Sequence, residues 1–145
     1  MPQTPGEIVR RSLTFDYPER IPRDLWLLPW AEKRFPEILK EIKEKYPNDI
    51  VNAPDVYHKS KKTKGDQHSI GTYVDEWECV FQNVQDGVIG EVKNPIMTNI
   101  ADLSSCNPPY DSLPDNHSKA RDIINRFCDE TDRFVLVSCQ ITSVG

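Results

Sequence analysis

Thr4-Pro5-Gly6-Glu7 sets a threonine at a helix N-cap, a proline at the tolerated first position and a glutamate three residues after the cap. Ile8, Val9, Leu13 and Phe15 follow, so a short helix is predicted over Pro5 to Leu13. After the polar break Asp16-Tyr17-Pro18-Glu19-Arg20, the run Leu25-Trp26-Leu27-Leu28 lies between Pro22 and Pro29 and reads as a strand buried on both faces. Phe35, Ile38, Leu39, Ile42 and Tyr46 recur at spacings of three and four, with Pro36 near the start and Pro47 just past the end, and predict the clearest helix of the chain. Asp49 to Ala53 is a second strand candidate, closed by Pro54, which cannot donate to a ladder.

From Val56 to Gln67 the pattern gives way to a polar, basic loop with Lys59, Lys61, Lys62 and Lys64, expected to be solvated because like charges repel. Thr72-Tyr73-Val74 and Trp77 to Val84 read as strand, Asp86-Gly87 as a turn and Val88 to Val92 as the returning strand, together an inserted β-hairpin. Four prolines make Asn94 to Pro114 irregular. Ala120, Ile123, Ile124 and Phe127 then mark one face of a helix, and Phe134 to Cys139 reads as a further buried strand. Three strands linked by helices predict a right-handed parallel α/β arrangement with the hairpin inserted.

Charge and composition narrow the function classes. Lysine plus arginine number 18 against 23 acidic residues, a net charge of −5, which argues against a general nucleic-acid footprint. No apolar run approaches the ~18 residues of a membrane span. The first residues lack a basic region followed by an apolar one, so the cytoplasm is the expected compartment. Cys79, Cys106, Cys128 and Cys139 form no C-x-x-C pair and no zinc-ligand spacing, and are expected to be reduced, buried thiols.

Gly-rich phosphate loops, nucleophile elbows and H-E-x-x-H are missing, which removes weight from kinase, protease and hydrolase readings. What remains are polar and aromatic groups after the proposed strands, where α/β proteins place their sites. Trp26, Trp30, Lys33 and Arg34 accompany the first strand, and Asp55 follows the second. The cations are suited to substrate carboxylates and Asp55 to a proton or a cationic group, although a helix start and a turn after proline account for the same residues. Asp75-Glu76-Trp77 is the densest acidic and aromatic cluster, read as a loop-to-strand boundary with Trp77 as packing anchor.

The run Arg20-Ile21-Pro22-Arg23-Asp24-Leu25-Trp26, after the Thr4 to Phe15 helix, resembles the opening of uroporphyrinogen decarboxylase and its relatives, which include cobalamin-dependent methyltransferases. The family pattern W-x-M-R-Q-A-G-R-x-x-P-E is matched here by W-L-L-P-W-A-E-K-R-F-P-E, in which Trp26, Ala31, Pro36 and Glu37 keep their places. Gly71 to Trp77 and Gly87 to Lys93, with Pro95, look like the hairpin region of the methyltransferase-like branch.

The resemblance implies a (β/α)8 TIM barrel, for which about 250 residues is typical. This chain of 145 residues is then expected to be the N-terminal portion of one such barrel domain. In the decarboxylases two arginines of the pattern grip substrate carboxylates, and here they are replaced by Pro29 and Lys33. That favours the methyltransferase-like branch over a decarboxylating lyase. Asp55, allowing a one-residue gap, is the nearest counterpart of the family's catalytic aspartate. The implied partners are a small-molecule substrate or a corrinoid protein. No cofactor is implied in this chain itself, while zinc and a corrinoid belong to the full-length methyltransferase reading. The alternatives are an inactive partial barrel and a small-molecule-binding α/β module in which Lys33 and Arg34 hold an anion.

Overall fold

A computed structural model describes residues 1–137. In chain order the elements are α1 (Pro5–Leu13), α2 (Pro29–Arg34), α3 (Pro36–Lys45), β1 (Ile50–Asn52), β2 (Gly71–Val74), β3 (Val80–Asn83), β4 (Glu91–Asn94), α4 (His117–Glu130) and β5 (Phe134–Leu136). They sort into two compact units. Of the described residues, the first comprises Met1–Leu27, Phe35–Asp55 and 116–137, and the second comprises Leu28–Arg34 and Val56–Asp115.

The first unit is built on a parallel pair. β1 and β5 lie side by side with Ile50 opposite Phe134 and Asn52 opposite Leu136. Helix α1 packs against both strands through the buried Ile8 and Val9. Its capping box is formed as the sequence predicts: Thr4 Oγ1 accepts from the Glu7 amide at 3.2 Å, and the Glu7 carboxylate accepts from the Thr4 amide at 2.8 Å. Gly6 lets the helix start touch the chain before β5. Its amide donates to the Asp132 carbonyl at 2.8 Å, and an added Cβ would lie only 2.9 Å from that oxygen. Helices α3 and α4 form where the periodicity predicts them, yet α3 buries none of its side chains and α4 only Ala120.

The strand expected over Leu25 to Leu28 does not form. That segment runs beside the start of β1, where the Asp49 amide donates to the Arg23 carbonyl at 2.8 Å and Asn48 Oδ1 accepts from the Leu25 amide at 3.0 Å. No ladder continues from there, so among the described residues the parallel sheet has two strands rather than three. The predicted last strand is present over Phe134–Leu136, and its continuation through Ser138 and Cys139 lies outside the described residues.

The second unit holds a three-stranded antiparallel meander, β2-β3-β4, where the sequence predicted a hairpin. Tyr73, Cys79 and Phe81 form its core, with Trp77, Val92 and Ile96 packed against them. Trp77 is thus the packing anchor expected of it, but it belongs to the turn before β3 rather than to the strand. Among the described residues the strands close no barrel, so the architecture is mixed α/β with a parallel pair and an antiparallel sheet. No helix among the described residues is long and apolar enough to cross a membrane.

Candidate functional site

The five residues singled out from the sequence fall into two sets, Trp26 and Asp55 in the first unit and Trp30, Lys33 and Arg34 in the second. Trp26 is 85% exposed. Asp55 is exposed and follows Pro54, one turn past the end of β1. What fixes this part of the chain is Asp49. Its carboxylate is only 1% exposed and takes a two-pronged grip from Arg20, whose Nη1 and Nη2 each donate to it at 2.6 Å. The Arg23 amide adds a third bond at 2.7 Å. The guanidinium of Arg20 foremost, helped by the Arg23 amide, holds the Asp49 carboxyl below the usual carboxylate range despite its burial. Sequence reading missed this pair, because nothing local marks residues 29 positions apart as partners.

In the second unit α2 is docked on the β3–β4 turn. The Trp30 amide donates to the Gly87 carbonyl at 3.0 Å, and the Gly87 amide donates to the His68 carbonyl at 2.6 Å. Gly87 has φ +81°, and an added Cβ would collide with the Trp30 backbone, so glycine is required there for conformation and for space. Lys33 Nζ lies 2.9 Å from the Asp86 carboxylate, an exposed ion pair that neutralises the cation assigned to anion binding. Arg34 makes no ion pair among the described residues and sits over the Trp30 ring, 5.9 Å from its centroid. A guanidinium held over an indole keeps its N–H edge free to donate two parallel bonds to a carboxylate or a planar acid.

Two further side chains support this cluster. Asn83 is fully buried. Its Nδ2 donates to the carbonyls of Gln67 and Ser69 at 2.8 and 3.0 Å, and its Oδ1 accepts from the Gly90 amide at 2.7 Å. Asp66 accepts from the His68 amide and the Ser69 hydroxyl, bonds that lower its pKa. The Asp86-Gly87 turn was legible, whereas the charge it offers to Lys33 was not.

The expectation of buried thiols holds for Cys79 alone among the described residues: Cys106 is half-buried and Cys128, on α4, is exposed. All three are free. Among the described residues no three His, Cys, Asp or Glu side chains converge to hold a metal ion. The class defined by fold and site is therefore a mixed α/β protein with an arginine-on-tryptophan face. Comparison with known family models, with curated proteins and with solved structures gives no match that would place it in a family.

Proposed function

We propose that this chain belongs to an enzyme resembling uroporphyrinogen decarboxylase, of the methyltransferase-like branch, taking a small-molecule substrate or a corrinoid protein in the cytoplasm. The observation that carries the reading is the order of neighbours in the first unit. The Arg23–Leu25 segment touches the start of β1, and β1 pairs in parallel with β5, so within the first unit successive segments lie side by side, with β2–β4 intervening in the chain between β1 and β5. That side-by-side order supports a (β/α) barrel reading, in which the Arg23–Leu25 segment would stand where a strand is expected. The run from Trp26 to Glu37 adds the family resemblance.

The branch assignment rests on α2. Pro29 carries no charge and Lys33 is engaged by Asp86, which leaves Arg34 on Trp30 as the anion-binding group. One guanidinium matches one carboxylate or a planar acid better than a substrate bearing many carboxylates. Zinc and a corrinoid fit the methyltransferase reading of the whole protein, but the described residues offer no ligand set for zinc. What they supply is binding.

The test uses protein expressed from the complete gene. Incubation with uroporphyrinogen is expected to give no carbon dioxide above background. Incubation with methylcobalamin and a thiol is expected to deplete the methyl-cobalt absorbance. Decarboxylation would overturn the branch, and failure of both reactions would favour the anion-binding module. An anion-binding module without catalysis is the second reading, favoured by Arg34 itself, and it predicts carboxylate binding that is lost in Arg34→Ala.

A further inference from the structure

The turn between β2 and β3 buries a carboxyl group that the candidate site does not use. Asp75 is 1% exposed, and its Oδ1 accepts from the amides of Trp77 and Cys79 at 2.9 and 2.8 Å. Its Oδ2 is buried with no hydrogen-bond partner, and the Cys79 thiol, a weak donor, borders the carboxyl. A buried carboxylate oxygen without a donor is costly, and the neutral acid costs less. The surroundings add negative charge. Glu76, in the same turn, is the acidic neighbour that acts on Asp75. Of the basic loop, Lys62 is paired with Glu78 at 3.1 Å and Lys64 bridges the Val74 backbone. Glu78 closes the turn with φ +70°, a conformation that strains a residue with a side chain.

We propose that this turn is a proton-linked clasp: with Asp75 protonated it stays closed over the Cys79 thiol, and ionisation of the buried carboxyl loosens it. Burial, ahead of Glu76, raises the Asp75 pKa above its ordinary value, while the two amide bonds and the Cys79 thiol oppose that rise. A carboxyl whose folded pKa is raised stabilises most below its unfolded value, about 3.9, and loses that contribution as pH climbs to the folded value. The clasp is tightest in acid.

Amide exchange of Trp77 and Cys79, corrected for the intrinsic pH dependence of exchange, tests this on the full chain between acid and neutral pH. Protection is expected to fall as Asp75 ionises, by about tenfold for each pH unit of displacement of its pKa. Carbon-detected titration of the Asp75 carboxyl is expected to share the midpoint, which needs no variant. In Asp75→Asn, which keeps the Oδ1 acceptor without the charge, protection is expected to be flat with pH. In Asp75→Ala, which strands both amides, it is expected to be low throughout. Protection in the unmodified chain that ignores Asp75 ionisation, Asp75→Asn following the unmodified chain, or Asp75→Ala matching it would overturn the proposal. A fall shared equally by the amides of Ala53 and Phe134 in the first unit would do so too.

Discussion

Asp49 and Asp75 are both 1% exposed, yet their pKa values move in opposite directions, because burial outweighs the two amides at Asp75 and the Arg20 guanidinium outweighs burial at Asp49. Asp49 meets a guanidinium and an amide, so its folded pKa is depressed, and its stabilisation is present above the unfolded value and lost as pH falls through the folded one. Removing the cation leaves a buried charge alone. Arg20→Ala is therefore expected to lower the opening free energy of the parallel pair by about 3 kcal/mol, near the low end for a broken buried pair because Arg20 is partly exposed. Amide exchange at Ala53 and Phe134 measures it, and an unchanged rate would show that the pair contributes nothing to β1. Substituting lysine, which cannot make the two-pronged contact, is expected to recover only part of the loss.

At the scale of elements, the caps and glycines decide. Thr4→Ala removes one side of a formed capping box and is expected to cost α1 about 1 kcal/mol, read as faster exchange at Glu7 and Ile8. Gly87→Ala brings both a strained φ and a collision with Trp30, so α2 is expected to leave the β3–β4 turn. The indole fluorescence and the carboxylate affinity assigned to Arg34 should both change, and retention of both would separate α2 from that turn. The helices were legible because their information is local: Thr4 and Glu7 announce α1, and the spacing from Phe35 to Tyr46 announces α3. Strand pairing is not local. Leu25 to Leu28 has the composition of a buried strand, but with no neighbouring strand to ladder against it forms none. Trp77 to Cys79 looked like strand because its aromatic and apolar residues favour strands, whereas Asp75 capturing two amides folds that stretch into a turn. The candidate site was half legible for the same reason. Arg34 and Trp30 are four residues apart on one short helix, while the Lys33 partner lies across 53 positions.

For the whole molecule, the distribution of apolar surface is the informative quantity. Helix α3 leaves Ile38 and Ile42 exposed at 56 and 36%, its flanking residues Phe35 and Tyr46 are exposed at 41 and 46%, and Leu136 at the end of β5 is 48% exposed. An amphipathic helix with no buried side chain is held by little of its own packing. Residues 1–145 alone are accordingly expected to unfold over a broad temperature range and to bind a dye that reports exposed apolar surface. A sharp melt in a monomer that ignores the dye would count against the barrel reading.

The pairing of Ile50 with Phe134 also sets a timetable. The two partners are 84 positions apart, and a ribosome adding about 5–20 residues per second exposes β1 for several seconds before β5 exists. Closing so long a loop is entropically slow, whereas the meander strands meet across short turns. The antiparallel sheet thus forms while the nascent chain is still waiting to complete the parallel pair, and β1 is the segment that a chaperone would meet uncovered.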